Sequence, residues 1–206
     1  MDQTASEAKA ASEQRHRLAN TLQLLAALAR MRGQRCADPE SRRHLQWMAD
    51  AIGTIGALEP KRTGRQVDFA AYLAEMAPVW ARRHGSPHAQ VRVNAAALQA
   101  DDQTASTLCM IAQELVCNAL THGLGAERPG CVTIGLALDG DRQCILSVED
   151  DGVGFDPASP AHKDGFGLWL VRSLAAQVRG TFTLTPQPGV RAQLAFLVDA
   201  RPRGGG

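Results

Sequence analysis

Glu114, Asn118 and His122 recur at i, i+4 and i+8, a spacing that sets an acid, an amide and an imidazole in one row along a helix. Such a row can hold a hard cation and touch phosphate oxygens, since magnesium takes one or two protein oxygens and leaves its other positions to water and phosphate. The same row is also what an ordinary solvated helix face looks like. Downstream, Val148-Glu149-Asp150-Asp151-Gly152-Val153-Gly154-Phe155 reads as a strand ending in an acid followed by D-x-G-x-G. A carboxylate at a strand end can accept a hydrogen bond from an exocyclic amine, and the glycines admit a close ligand or positive φ; Asp-Gly is equally common in turns. Gly165-Phe166-Gly167-Leu168 then opens a helix, where backbone N–H groups suit phosphate. No G-K-[ST] follows and no strand leads directly into it, so it is neither a Walker loop nor a dinucleotide fingerprint.

A second place for chemistry lies near the N-terminus. In the run Glu13-Gln14-Arg15-His16-Arg17-Leu18-Ala19-Asn20-Thr21-Leu22-Gln23, His16, Asn20 and Gln23 share a polar helical face, while Leu18, Leu22 and Leu25 point roughly the other way. His16 is therefore expected to project outward.

The elements that must position these groups read as follows. Ser6 to Met31 has the composition of a helix that Gly33 ends, and Asp38-Pro39 starts another with a cap and a first-turn proline. Leu45, Met48, Ile52 and Ile55 recur at steps of three and four, as do Leu18, Leu22 and Leu25. A hairpin of two such helices buries both seams best as a dimeric four-helix bundle. The polar segment around Pro60 and Gly64 reads as a linker, 61–67. Beyond it, helices are expected at about 68–83, 104–121 and 168–178, and a strand at 90–94. Two hairpins, 131–138 with 143–148 and 181–184 with 190–198, turn at Asp139-Gly140-Asp141 and Pro188-Gly189. The fold class is α+β, with domains 1–60 and 68–200 and a disordered tail, 201–206.

Composition narrows the function classes. The 206 residues are 45% hydrophobic and carry a net charge of +1, which excludes a strongly basic nucleic-acid binder and an acidic disordered chain. Residues 1–66 hold eleven Lys+Arg against seven Asp+Glu, net +4, and residues 67–206 eleven against fourteen, net −3. No stretch reads as a membrane span or a signal peptide. Cys36, Cys109, Cys117, Cys131 and Cys144 form no C-x-x-C pair and no zinc spacing, so free thiols in a cytoplasmic setting are expected.

In order and spacing, ELVCNALTHG, VEDDGVGF and GFGLWLV resemble the N, G1 and G2 boxes of the Bergerat-type (GHKL) ATP-binding fold, an α/β sandwich shared by histidine kinases, gyrase-type ATPases, Hsp90 chaperones and MutL. The segment from His16 resembles the H-R-x-x-N-x-L-Q phosphoacceptor box of bacterial sensor histidine kinases, in particular the second HisKA-type dimerisation family, sister to the HWE kinases. Together the resemblance covers about residues 8–198. Thr21 and Thr121 depart from common Asn and Lys positions, and Gln113 stands where the HWE group has His.

The resemblance implies an ATP-dependent histidine autokinase of two-component signalling, acting as a homodimer with a response-regulator receiver domain as partner. Input would come from a separate sensor protein, from the N-terminal segment, or not at all, with neither nucleic acid nor membrane insertion involved. His16 would be the phosphoacceptor and Arg17 a holder of the phosphoryl group. Asp150 would take the adenine amine, and Gly152 and Gly154 would shape the adenine end. Gly165 and Gly167 would edge a small lid at the phosphates. Asn118 would hold Mg²⁺, His122 would touch phosphate, and Glu114 would be a general base or would act from behind the metal ligands. Two other readings share these boxes: a histidine phosphotransfer protein that does not use ATP, and an anti-sigma-type serine kinase.

Overall fold

A computed structural model of the chain describes residues 2–124, 129–139, 142–154 and 165–198. The chain divides into two compact units, Met1–Val67 and Asp68–Gly206.

The first unit is a helical hairpin, α1 (Asp2–Gln34) and α2 (Pro39–Gly56). Gly33 does not end α1 as expected. It is buried inside the helix, where an added Cβ would stand 3.4 Å from Leu45 Cβ and 3.6 Å from the Arg42 carbonyl oxygen. The glycine serves close helix approach, and the turn comes just after it, in two tight bonds from Arg35 N–H to Arg32 O and Cys36 N–H to Gly33 O. Arg42 closes the loop by donating to the Cys36 carbonyl at 2.9 Å. Asp38 caps α2 by accepting from Ser41 N–H at 2.8 Å, with Pro39 in the first turn.

The seam between these helices is built from small residues: Ala26, Gly33, Ala49 and Gly56 are buried. Leu22 and Leu45 are half-buried beside them. Leu18 (59% exposed), Leu24 (60%), Leu25, Leu28, Met31 and Met48 face outward. The leucine steps read from sequence thus fall mostly outside the intramolecular seam. Arg30 lies in it, 3.5 Å from the buried carboxylate of Asp50, which also accepts from Gln46 at 3.0 Å. After α2 comes a 3-10 turn, Glu59–Lys61, then a small hairpin of β1 (Arg62–Thr63) and β2 (Gln66–Asp68) turning at Gly64, φ +63°. The 61–67 segment therefore carries regular structure of its own.

The second unit layers three helices, α3 (Phe69–His84), α4 (Asp102–Asn118) and α5 (Phe166–Gln177), on a five-stranded sheet. Its strands are β3 (Ala89–Ala95), β5 (Gly130–Asp139), β6 (Gln143–Asp150), β7 (Thr181–Gln187) and β8 (Gly189–Leu197), in the order β3-β5-β6-β8-β7. A short strand, β4 (Gln99–Asp101), precedes α4. β3 and β5 are parallel and the other pairs antiparallel, a mixed sheet in an α+β unit.

Strand alternation sorts the two faces. Val132, Ile134 and Leu136 of β5 pair with Asp150, Val148 and Leu146 of β6, all buried. On β8, Ala192, Leu194 and Phe196 continue the buried rows. The opposite face is polar, with Arg191 donating to Glu149 at 2.9 Å. Register therefore places the Asp150 carboxylate on the helix-covered face, at the end of an apolar row. The core is completed by Phe69, Tyr72 and Trp80 of α3, whose rings contact in sequence and whose Trp80 indole donates to Gln113 on α4.

All five cysteines are thiols, and burial pushes Cys109 up to about 12, which makes it inert near neutral pH. The 201–206 tail lies outside the described residues.

The N-cap of α4 supports the helix that carries Glu114 and Asn118. Asp101 accepts from Gln103 N–H at 2.9 Å, Thr104 N–H at 3.0 Å and Thr104 Oγ1 at 2.7 Å. Partial burial raises this carboxyl, but the bonds from Thr104 and Gln103 outweigh it and hold it below the usual aspartate range. Asp101→Ala should cost about 1 kcal/mol. Because the folded carboxyl titrates lower than an unfolded one near about 3.9, the contribution is present above that pH and lost as pH falls below it. Thermal melts of wild type and variant at pH 7 and pH 3 should show the gap between them closing at the lower pH.

Candidate functional site

Two clusters form at the edge of the second unit, and each depends on backbone approaching without a Cβ between. The first lies at the end of β6. Asp150 is 9% exposed and its Oδ1 accepts from Gly152 N–H at 2.9 Å, a local bond that orients the carboxylate. Gly123 lies against that carboxylate: a Cβ there would come within 2.7 Å of Asp150 Cγ and Oδ1. Gly152 is as confined, since its Cβ would fall 2.2 Å from the Gly123 carbonyl oxygen. That carbonyl accepts from Val153 N–H at 3.1 Å. From the other side Gly189, φ +97°, passes so close that a Cβ would overlap the Asp150 carbonyl oxygen at 1.8 Å. Asp151 accepts from Cys131 N–H at 2.9 Å and extends the β5–β6 pairing by one residue.

The second cluster lies between α4 and α5. Glu114 is 7% exposed, and a Cβ on Gly167 would stand 2.6 Å from its Oε2 and 3.7 Å from Asn118 Nδ2. Gly165 is the N-cap of α5 and has no side chain with which to cap it, so the positive end of the helix dipole faces the adjoining Glu114 carboxylate. An amide, a buried acid and a helix N-terminus converge here, a donor set that fits a phosphate with one magnesium.

A π-helical turn, Ala119–Leu124, joins the two clusters. The α-helix expected to 121 stops at Asn118 and widens here, as single π turns do at functional sites. That change breaks the expected i, i+4, i+8 row after Asn118. It also carries Gly123 to Asp150, with His122 exposed beside it. Gly154 takes φ +69° and Gly165 is exposed. The expected small lid between them falls on 155–164, outside the described residues.

In the first unit His16, Arg17, Asn20 and Gln23 are all exposed on α1. The outward projection read from the polar face matches that exposure, although Leu18 and Leu25 are exposed as well. Sequence reasoning read Gly189 only as a hairpin turn, and Gly123 and Asp151 only as members of the boxes, with no role at the site for any of the three. Gly123 directly follows His122 and could have been found from the rule that an isolated glycine at a helix end marks a close approach.

Two family models match the chain. One described as "Histidine kinase" matches residues 13–81, and one described as "Histidine kinase-, DNA gyrase B-, and HSP90-like ATPase" matches residues 103–202. Sensor histidine kinase PdtaS of Mycolicibacterium smegmatis is 30% identical over 201 residues, covering 92% of this chain and 40% of that protein. Blue-light-activated histidine kinase 2 of Erythrobacter litoralis is 25% identical over 183 residues, covering 84% of this chain and 52% of that protein. The chain thus spans between about a third and a half of these relatives' length. The solved histidine kinase domain from the Erythrobacter litoralis EL346 blue-light activated kinase superposes with a TM-score of 0.67 at 18% identity, over 86% of this chain and 95% of that one, so the fold is shared. No helix of the described residues is long and apolar enough to cross a membrane.

The glycine contacts grade the expected damage. Gly152→Ala and Gly189→Ala meet backbone and should each destabilise by roughly 1–3 kcal/mol. Gly167→Ala meets side-chain ends, chiefly Glu114 Oε2, and no backbone, and should cost less, about 1 kcal/mol. Urea denaturation of the three variants should recover that order.

Proposed function

We propose, from the premise that this chain belongs to the histidine kinase family and joins a histidine-kinase module to a GHKL-type ATPase module, that it is an ATP-dependent autokinase. The γ-phosphoryl of ATP passes to an imidazole nitrogen of His16, and from there to an aspartate of a response-regulator receiver domain. One observation carries the reading: a buried acid with fixed orientation, Asp150, and a Glu114–Asn118–Gly167 cradle stand at the two ends of one π-helical turn, as an adenine end and a phosphate end require.

In this scheme Asp150 accepts the adenine amine, and Gly152 and Gly154 let the ring approach the backbone. Gly165 and Gly167 offer N–H groups to the phosphates, and His122, exposed at the turn, reaches the same oxygens. Asn118 would hold Mg²⁺, which when bound spreads the charge of the transferred group. Glu114, held beside Asn118, orients that amide and serves as the acidic partner of the site. At the acceptor, a neutral imidazole attacks phosphorus, the phosphorus–oxygen bond to ADP breaks, and the imidazole proton leaves to solvent or a base. Arg17, exposed next to His16, balances the arriving charge. The protein's share is positioning and charge stabilisation.

The outward apolar residues of the hairpin support a homodimer. Leu18, Leu24, Leu25, Leu28 and Met31 of α1 and Met48 of α2 would be covered when two hairpins form a four-helix bundle. We place the reaction in the cytoplasm, where ATP and reduced thiols coexist.

Incubation with Mg²⁺ and ATP labelled on its γ-phosphorus tests the scheme. Wild type should take up acid-labile, alkali-stable label, and His16→Ala and Asn118→Ala should each abolish it. Absence of label, with phosphoryl uptake from a phosphorylated regulator, would establish the phosphotransfer reading instead. Label on a partner's serine would establish the anti-sigma-type reading.

A further inference from the structure

The turn of α1 that carries His16 is held at one point. Of residues 13–18, Glu13, Gln14, His16, Arg17 and Leu18 are exposed, and Arg15 alone is partly covered. Arg15 reaches the 3-10 turn that follows α2, where its Nε lies 3.4 Å from Glu59 Oε1. The other oxygen of the same carboxylate accepts from Arg62 Nε at 2.9 Å, at the start of β1. Glu59 is the more buried partner in its pair with Arg15, with 19% of its side chain exposed against 36%. One carboxylate thus ties the acceptor turn of α1 to the strand that leads out of the hairpin. Further along α1, Leu22 lies opposite Gly56.

We propose that Glu59 is a positioning residue for phosphoryl transfer at His16, acting through Arg15. A donor fixed in a protein site needs its acceptor close to the attack path, and a helix that shifts or opens locally around the acceptor misses it. The contact with Arg15 is an ion pair without a hydrogen bond, and the hydrogen bond from Arg62 holds the carboxylate that Arg15 faces; its partial cover screens it less than open solvent would. The arrangement also engages the Arg15 charge elsewhere, which leaves Arg17 as the exposed cation beside the imidazole. Among the described residues, Glu13 and Arg17 on α1 and Lys61 and Arg62 on the connector are the charges that adjoin this pair in sequence. The last six residues of α2, Ala51–Gly56, carry none.

The inference rests on His16 being the acceptor, so the experiment separates the two claims. The full chain is compared as wild type, Glu59→Gln, Glu59→Asp, Arg15→Gln and Glu59→Gln/Arg15→Gln. With ATP as donor, Glu59→Gln should lower the maximal rate of labelling roughly tenfold with the KM for ATP unchanged. Glu59→Asp should recover part of the rate, and the double variant should be no slower than the slower single. With phosphoramidate, a small diffusible donor that needs no positioning, Glu59→Gln should be labelled at the wild-type rate. Amide exchange over residues 13–20 should be faster in Glu59→Gln and unchanged over 39–56.

A wild-type rate of ATP labelling in Glu59→Gln, equal losses with both donors, or unchanged exchange over 13–20 would each overturn the proposal. If wild type is labelled by phosphoramidate but not by ATP, the autokinase reading fails and the positioning role fails with it, while exchange still reports whether Glu59 anchors the turn.

Discussion

The second unit depends on one close approach. The carbonyl of Gly123, the N–H of Gly152 and the carboxylate of Asp150 meet where no methyl group fits. A helix ends there, a strand ends there, and the strand's last side chain points along the buried face of the sheet. Everything else at the site is arranged around that meeting. The π turn brings Gly123 to it, Gly189 closes it from β8, and Asp151 prolongs the β5–β6 ladder behind it. A buried carboxylate is expensive unless it is engaged. Here its first hydrogen bond is local and orients it before any ligand arrives.

The first unit solves a different problem. Its two helices approach through alanine and glycine, and its larger side chains stay on the outside. Close backbone approach gives the hairpin its own seam, reinforced by Arg30, Asp50 and Gln46. Exposed apolar residues on the same two helices, Leu24 and Leu28 among them, take no part in that seam. Internal cohesion and the proposed association thus draw on different residues.

Much of this was legible in the chain. Asp38-Pro39 marked a helix start because a capping acid and a first-turn proline are local signals. The β-like runs 131–138 and 143–148 around Asp139-Gly140-Asp141 marked the β5–β6 hairpin. Glu114, Asn118 and the glycines at 152 and 167 could be read as a site because residue type and order together are specific. Other features escaped for physical reasons. Gly33 has the sequence signature of a helix end, yet tertiary approach to Leu45 overrides propensity. The change from α to π after Asn118 depends on what Gly123 meets in space, which no local pattern records. β1, β2 and β4 are two or three residues long, too short for a period. The parallel β3–β5 pair joins residues about forty apart, a distance at which local signals are silent.

The bond between Asp150 and Gly152 has one more consequence. Because the backbone N–H at 152 demands an acceptor, an asparagine at 150 would be forced to turn its amide oxygen inward and its amino group outward. The outer end of the group would then present a donor in place of an acceptor. In the proposed nucleotide role, a base edge bearing an amine would be repelled there and one bearing a carbonyl, as guanine does, would be matched. Fixing one half of a two-ended group in this way settles the hydrogen-bonding polarity of the other half.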